Sequence, residues 1–198
     1  MNKINKVSIV LAIILGIIII ISIVNYTKLG DSAYSIRSLI AFVSLLIPFI
    51  LTVVANKKHI LLPYRFQEIA LIFLFLAQYL GEVKKFYLDI WWWDLFVHST
   101  FGVYSVIIAL HFIRGIIIKD QNVSKERYKI LISIFAFSFS VAMGTLWEMF
   151  EFLGDYLFDS NMIKGGIGDT ATDLLVHIVS AFITCLICYY RKINDYKE

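Results

Sequence analysis

The sequence predicts an all-α integral membrane protein, a bundle of about six transmembrane helices. Of its 198 residues, 60% are hydrophobic and only 17% are charged, whereas soluble domains average about 45–50% apolar and about 25% charged residues. Several apolar runs also reach the length of about 20 residues that crosses a bilayer as a helix. The surplus of apolar side chains is therefore expected to face lipid. The small net charge of +3 gives no indication of nucleic-acid binding.

Six hydrophobic segments define the predicted spans of a single membrane domain over residues 1–198. Backbone polar groups in hydrocarbon must be satisfied within their own segment, so even the Ile- and Val-rich runs are predicted to be helices. The first segment is followed by no small-residue cleavage site and is interpreted as an uncleaved span. Pro48 is expected to kink the second span. The spans are 7–25, 36–55, 66–83, 94–118, 130–153 and 170–190.

Basic residues are distributed unevenly between the two sets of loops. The N-terminus, the 56–65 loop, the 114–129 segment and the C-terminal tail together hold 13 Lys and Arg residues, and the three opposite connections hold 5. The positive-inside rule then places both termini in the cytoplasm of a multi-pass protein of the cell membrane. The same orientation puts the three tryptophans of "WWWDLFVHST" at the outer interface, where indole rings are favoured.

Three of the predicted spans carry ionisable residues at helical spacing near their outer ends. "WWWDLFVHST" begins the fourth span, "GTLWEMFEFLGD" ends the fifth, and "GGIGDTATDLLVH" begins the sixth. Residues three or four positions apart share one helix face, so each span has one polar stripe. The stripes consist of Asp94 and His98, then Glu148, Glu151 and Asp155, then Asp169, Asp173 and His177.

The surroundings of these stripes predict a bound cation. No Lys or Arg occurs between Phe86 and Ile113, and Lys164 is the only one between Ile130 and Tyr190. A buried carboxylate either becomes protonated or acquires a cation. Mixed carboxylate and imidazole ligands suit Zn, Mn or Fe better than Ca or Mg, and a carboxylate beside such a metal can act as general base toward water. The predicted metal ligands are Asp94, His98, Asp173 and His177, the predicted catalytic residues are Glu148 and Glu151, and Asp155 and Asp169 are secondary.

Structural explanations remain open for part of this set. Asp169 occupies a position typical of a helix N-cap, and Asp94 has the same possible role for the fourth span. Asp155 is expected near water. Glu148, Asp173 and His177 lie one to two turns inside their spans, where ionisable residues are functional by default. The nearby glycines of the fourth and fifth spans, Gly102 and Gly144, are expected to permit close helix packing, and Cys185 and Cys188 are interpreted as small apolar residues of a membrane helix.

Together, these three blocks resemble the YjdF-like family of bacterial inner-membrane proteins. The resemblance rests on an Asp-x-x-x-His helix start, a Trp-Glu-x-x-Glu helix end and a Gly-Asp-Thr-x-x-Asp helix start, and it covers residues 60–190. A weaker similarity to VanZ-like membrane proteins involves the early Asp-x-x-x-His pair and the late acidic helix. The resemblance implies a polytopic α-helical membrane protein and supplies no activity.

Three function classes fit the pattern. The leading hypothesis is a metal-dependent enzyme whose outward-facing polar site acts on a lipid or envelope substrate. The second is a cation or proton transporter in which the same residues bind or relay the ion; the inner halves of the last three spans lack matching acids, which counts against it. The third is a structural or assembly protein whose acids cap and space helices.

Overall fold

The structure, a computed structural model, describes residues 4–114, 123–158, 163 and 166–190. These residues form eight α-helices and one π-helical segment, Phe75–Val83, which continues α4 without a break. The helices are α1 (Lys6–Lys28), α2 (Ser32–Ser44), α3 (Ile47–Lys57), α4 (Phe66–Leu74), α5 (Phe86–Asp89), α6 (Trp93–Arg114), α7 (Lys125–Phe158) and α8 (Ile167–Tyr190).

Within these ranges, six helical stretches are long and apolar enough to cross a membrane, which confirms the predicted fold class. α2 and α3 together form the second stretch, and α4 with the π-helical segment forms the third. The six stretches correspond to the six predicted spans in order. Residues 115–118 of the predicted fourth span lie outside the described residues, and α6 ends at Arg114.

The fifth span differs most from its predicted bounds. α7 has 34 residues, which is about 51 Å of helix, against a hydrocarbon core of about 30 Å. The hydrophobic run marks the part of the helix that lipid can surround, whereas the helix itself begins where its first backbone N–H groups are capped. Ser124 is that cap, because its Oγ accepts a hydrogen bond from Arg127 N at 3.3 Å.

The second span contains a helix break where a kink was predicted. Leu45 and Leu46 separate α2 from α3, and Pro48 is buried in the first turn of α3. Proline is tolerated in a first turn because the N–H that it lacks would have no intrahelical partner there. Thr52 Oγ1 donates to the Pro48 carbonyl oxygen at 2.7 Å, which satisfies a group inside the apolar segment. Pro48 therefore lies just after a break between two helices, and not at a kink within one helix.

The described helices form two compact units, Met1–Trp93 and Asp94–Glu198. In the first unit, α1 packs against α2 and α4, with Ile19 and Leu71 fully buried. Gly16 allows the close approach of α1 to α2, since a Cβ there would lie 3.2 Å from the Phe42 ring. Many aliphatic side chains of α1 point away from this core and are exposed, as expected for a helix that faces lipid.

Buried polar residues of the first unit satisfy one another. Gln67 Oε1 accepts hydrogen bonds from Asn5 N at 3.1 Å and from Ser8 Oγ at 2.6 Å. Gln67 Nε2 donates to Thr52 Oγ1 at 3.1 Å. The side chain of Gln67 thus connects α1, α3 and α4 by hydrogen bonds, which makes this cluster a structural element of the unit.

The π-helical segment is joined to α1 by a buried hydrogen bond that provides a stability test. Tyr79 OH and Ser22 Oγ are 2.7 Å apart, and Tyr79 is buried, whereas Tyr64 is 82% exposed. We predict that Tyr79→Phe lowers the free energy of unfolding by about 1 kcal/mol, while Tyr64→Phe changes it by less than about 0.5 kcal/mol. Thermal unfolding in detergent micelles measures both; equal effects would contradict this role of Tyr79.

In the second unit, α6, α7 and α8 share an apolar core. Val106 of α6, Ile132 of α7 and Ala181 of α8 are almost completely buried in it. Cys185 belongs to the same core and its Sγ lies 3.7 Å from the Ser133 carbonyl oxygen. Cys188 packs against this core, and neither cysteine forms a disulfide among the described residues.

Candidate functional site

His98 is the centre of a buried acid–histidine cluster in the second unit. Its side chain is 1% exposed, and its Nε2 lies 3.5 Å from Asp94 Oδ1, one turn earlier on α6. Its Nδ1 lies 3.5 Å from Glu148 Oε1 on α7. Each ring nitrogen therefore faces a different carboxylate, and His98 connects two helices.

Two sets of possible ligand atoms meet at His98. One set combines Asp94, His98 and Asp173, and the other combines His98, Glu148 and Glu151; within each set the ligand atoms all lie within 4.8 Å of one another. The stripes of α6, α7 and α8 thus converge on one imidazole. Sequence spacing places residues on one face of a helix, and the packing of the three helices brings these faces together.

The cluster is buried deeply. Glu148 and Glu151 are each 5% exposed and Asp173 is 3% exposed, whereas the Asp94 side chain is 18% exposed. Neither carboxylate oxygen of Glu148 and neither ring nitrogen of His98 has a well-formed hydrogen bond among the described residues. Buried groups of this kind carry a large desolvation cost unless a proton or a cation offsets it. Asp94 is the member of the cluster that solvent reaches most easily.

Glu151 is oriented by a neighbour that the sequence did not single out. Trp147 Nε1 donates to Glu151 Oε1 at 2.8 Å, from one turn earlier on α7. The Trp147 ring also lies against Phe101 of α6, with ring centroids 5.4 Å apart. The indole therefore holds one oxygen of the Glu151 carboxylate in a hydrogen bond. The "WEMFE" spacing contained this pair, since residues four apart share a face.

His177 occupies a different position from the one expected for a metal ligand. It contributes no atom to either ligand set found among the described residues. Its Nε2 lies 2.8 Å from the Ser140 carbonyl oxygen, and Ser140 Oγ in turn donates to the Gly102 carbonyl oxygen at 3.1 Å. This network assigns the proton of the ring to Nε2. His177 thus joins α8 to α7, one turn along α8 from Asp173.

Two glycines create the space for His177, which confirms their predicted packing role. A Cβ on Gly144 would lie 2.8–2.9 Å from three atoms of the His177 ring. A Cβ on Gly102 would lie 2.6 Å from the His177 carbonyl oxygen. Gly102 therefore lets α6 approach the backbone of α8, and Gly144 lets the backbone of α7 approach the His177 ring.

Asp155 and Asp169 lie outside both ligand sets. Asp155 Oδ2 accepts a hydrogen bond from Ile163 N at 2.8 Å. Asp169 is in the first turn of α8 rather than at its N-cap, since the helix begins at Ile167, directly after Gly166 with φ +62°. Asp94 is likewise in the first turn of α6 and not its cap. Carboxylates in a first turn interact favourably with the helix dipole.

The fold and this cluster define a multi-pass α-helical membrane protein with an acid–histidine site. The chain belongs to the family of predicted membrane proteins designated DUF2238, whose profile matches residues 7–194. This match includes the first two spans, which the YjdF-like resemblance over 60–190 left out. A relative described as an uncharacterized protein of Thermotoga maritima is 26% identical over 191 residues, or 96% of this chain and 91% of the relative. No solved structure gives a significant match.

The close packing at Gly144 leads to a prediction about stability. We expect Gly144→Ala to lower the free energy of unfolding by about 1–3 kcal/mol, because the added methyl group overlaps the His177 ring. Gly168→Ala is the matched control, since a Cβ there meets nothing within 4 Å, and it should be neutral or stabilising by up to about 1 kcal/mol. Thermal unfolding in detergent compares the two; a tolerated Gly144→Ala would show that the ring has room to move.

Proposed function

We propose that the cluster binds a divalent transition metal, Zn, Mn or Fe, and that the protein is an enzyme acting on a lipid or envelope substrate. The observation that carries the proposal is His98, a buried imidazole without a well-formed hydrogen bond that lies between two pairs of carboxylates. Asp94, His98 and Asp173 are the proposed metal ligands. Carboxylate and imidazole together favour these metals over Ca and Mg.

The distances support this assignment. In a tetrahedral site with metal–ligand bonds of about 2.1 Å, neighbouring ligand atoms lie about 3.4 Å apart. The 3.5 Å between His98 Nε2 and Asp94 Oδ1 is too long for a good hydrogen bond and matches such an edge. Asp94 and His98, one turn apart on α6, then form a chelating pair, and Asp173 completes three protein ligands, which leaves a position for water or substrate.

The second carboxylate pair has a complementary role in this proposal. A metal-bound histidine usually donates its other ring N–H to a carboxylate, which fixes its orientation. Glu148 Oε1 lies 3.5 Å from His98 Nδ1, which is also longer than a good hydrogen bond, and we propose that this contact shortens when a metal orients the imidazole. Glu151, held through one oxygen by Trp147, is the proposed general base toward a metal-bound water. His177 packs beside the centre through the contacts of its Nε2 with Ser140. Its other nitrogen, Nδ1, is the fourth predicted ligand atom, and the metal measurements test that role.

Metal analysis of the purified protein tests the proposal. We expect about one Zn, Mn or Fe per chain, strongly reduced in Asp173→Asn, because the amide is a much poorer ligand than the carboxylate. Glu148→Gln should weaken the affinity roughly 10–100-fold through the lost orientation of His98. Asp169→Asn, on the same helix but outside both ligand sets, should retain the metal. The double substitution Asp173→Ala with His177→Ala removes both predicted ligands of α8, and so includes the fourth predicted ligand, His177, in the test.

Stability measurements separate the metal role from a structural one. Metal that binds only the folded state stabilises it, so adding a chelator should lower the unfolding temperature of the wild type and leave that of Asp173→Asn unchanged. A structural role predicts a protein that purifies without metal and whose variants are simply less stable. That result would contradict the enzyme proposal.

The series Asp94–His98–Glu148 supports a second candidate function. Its two 3.5 Å contacts place an imidazole between two carboxylates, an arrangement suited to passing a proton or holding a cation in transit. A metal-free protein of normal stability that carries protons or cations across liposome membranes, and loses this transport in Glu148→Gln, would favour transport over catalysis.

The orientation of the site in the membrane is part of the proposal. The excess of basic residues in the N-terminus, the 56–65 loop and the 114–129 segment favours cytoplasmic termini, which would place the cluster in the outer half of the bilayer. After replacement of Cys185 and Cys188, a cysteine at Lys84 should react with a membrane-impermeant thiol reagent in intact cells, and one at Lys125 should react only after lysis. The reverse pattern would place the site on the cytoplasmic side.

A further inference from the structure

A surface groove runs along the second unit between α6 and α8. Its volume is about 610 Å³, and its walls are mainly aliphatic. Val103 and Ile107 line it from α6, and Ile183 and Ile187 line it from α8. Val103, Ile183 and Ile187 are also exposed. Since both helices are membrane spans, the groove opens toward lipid.

Three polar residues of the groove, Ser180, Thr184 and His111, make hydrogen bonds within their own helices. Ser180 Oγ donates to the His177 carbonyl oxygen at 2.8 Å, and Thr184 Oγ1 donates to the Ser180 carbonyl oxygen at 2.7 Å. His111 Nδ1 lies 2.9 Å from the Ile107 carbonyl oxygen. These contacts satisfy the side chains without a ligand. The groove therefore suits an apolar occupant and offers little to a polar one.

The length of the groove is close to that of one lipid chain. From Ser99 to His111 it follows α6 for about 18 Å, and one leaflet of the hydrocarbon core is about 15 Å thick. Its first lining residues, Ser99 and Ser180, are one position after His98 and three positions after His177. Along both helices the acid–histidine cluster, with Asp94 and His98 on α6 and Asp173 on α8, precedes the apolar groove.

We propose that this groove holds one acyl chain of a membrane phospholipid, and that this lipid is the substrate of the centre around His98. The inference rests on the proposed function and specifies its substrate class. An acyl chain in the groove places the headgroup at the Ser99 end, beside the cluster. Asp94, the most exposed carboxylate of the cluster, lies one turn beyond Ser99 on α6.

Photo-crosslinking tests the proposal with a pair of matched variants. The protein is placed in vesicles of phosphatidylethanolamine and phosphatidylglycerol that contain a phospholipid with a diazirine near the end of one acyl chain. We expect labelling at Ile107, Ile183 and Ile187. Ile187→Trp should reduce labelling at Ile183 about tenfold, because the indole displaces roughly two methylene groups of the chain. Leu186→Trp, at an adjacent residue of similar exposure outside the groove, should leave it unchanged.

The possible outcomes separate the groove from the metal centre. Equal labelling of the groove and of other lipid-facing residues, or equal effects of the two tryptophans, would overturn the acyl-chain proposal whatever the metal content. Groove-specific labelling of a protein that binds no metal would support lipid binding and contradict the enzyme. If Ile187→Trp fails to fold, Ile183→Trp provides the same block, with labelling read at Ile107.

Discussion

The energetic cost of holding negative charge away from water is the constraint on which the second unit depends. Four carboxylates surround His98, namely Asp94, Glu148, Glu151 and Asp173, and an imidazole can carry at most one positive charge. Full ionisation would leave at least three negative charges uncompensated by this residue, in a medium where each one is expensive. Hydrogen-bond donors such as Trp147 Nε1, protons or a cation can supply the difference. A divalent ion supplies two charges at once and keeps the carboxylates available as ligands.

Small residues make this arrangement possible. Gly102 and Gly144 bring the backbones of α6 and α7 against α8 at His177, and Ser140 bonds to both α6 and α8 in the same layer. Helices in lipid associate through packing and hydrogen bonds because the hydrophobic effect does not drive them together. The contacts around His177 therefore fix the spacing of the three helices, and this spacing positions the carboxylates around His98.

Much of the fold could be predicted from the sequence because lipid imposes a simple rule on composition. A run of about 20 apolar residues has to become a helix, so the order and number of spans follow from hydropathy. Helix ends follow from caps and turns instead, which is why α7 and α8 begin before their apolar runs. The π-helical segment Phe75–Val83 was not predicted, since nine residues are too few to reveal a period of about four.

The sequence predicted the three polar stripes of the site, but not which residues of these stripes would meet. Spacing assigned His98 and His177 equivalent roles, since each follows an aspartate by four residues. Their contacts differ because α6 and α8 present different faces to α7: His98 meets Glu148, whereas His177 meets the backbone of Ser140. Sequence periodicity does not report how a helix is rotated about its axis relative to its neighbours, and that rotation decides which partners each histidine meets.

The distribution of polarity along α6 and α8 bears on the choice between catalysis and transport. An ion crossing the unit would need polar groups along the whole length of its path. The buried residues that follow the cluster, such as Val106, Leu110 and Ala181, form an apolar core, and the groove beside them is apolar as well. A phospholipid has the same order of polar headgroup and apolar chain along the membrane normal. This order of polarity in the described helices supports the proposed phospholipid substrate over the alternative of a permeating ion.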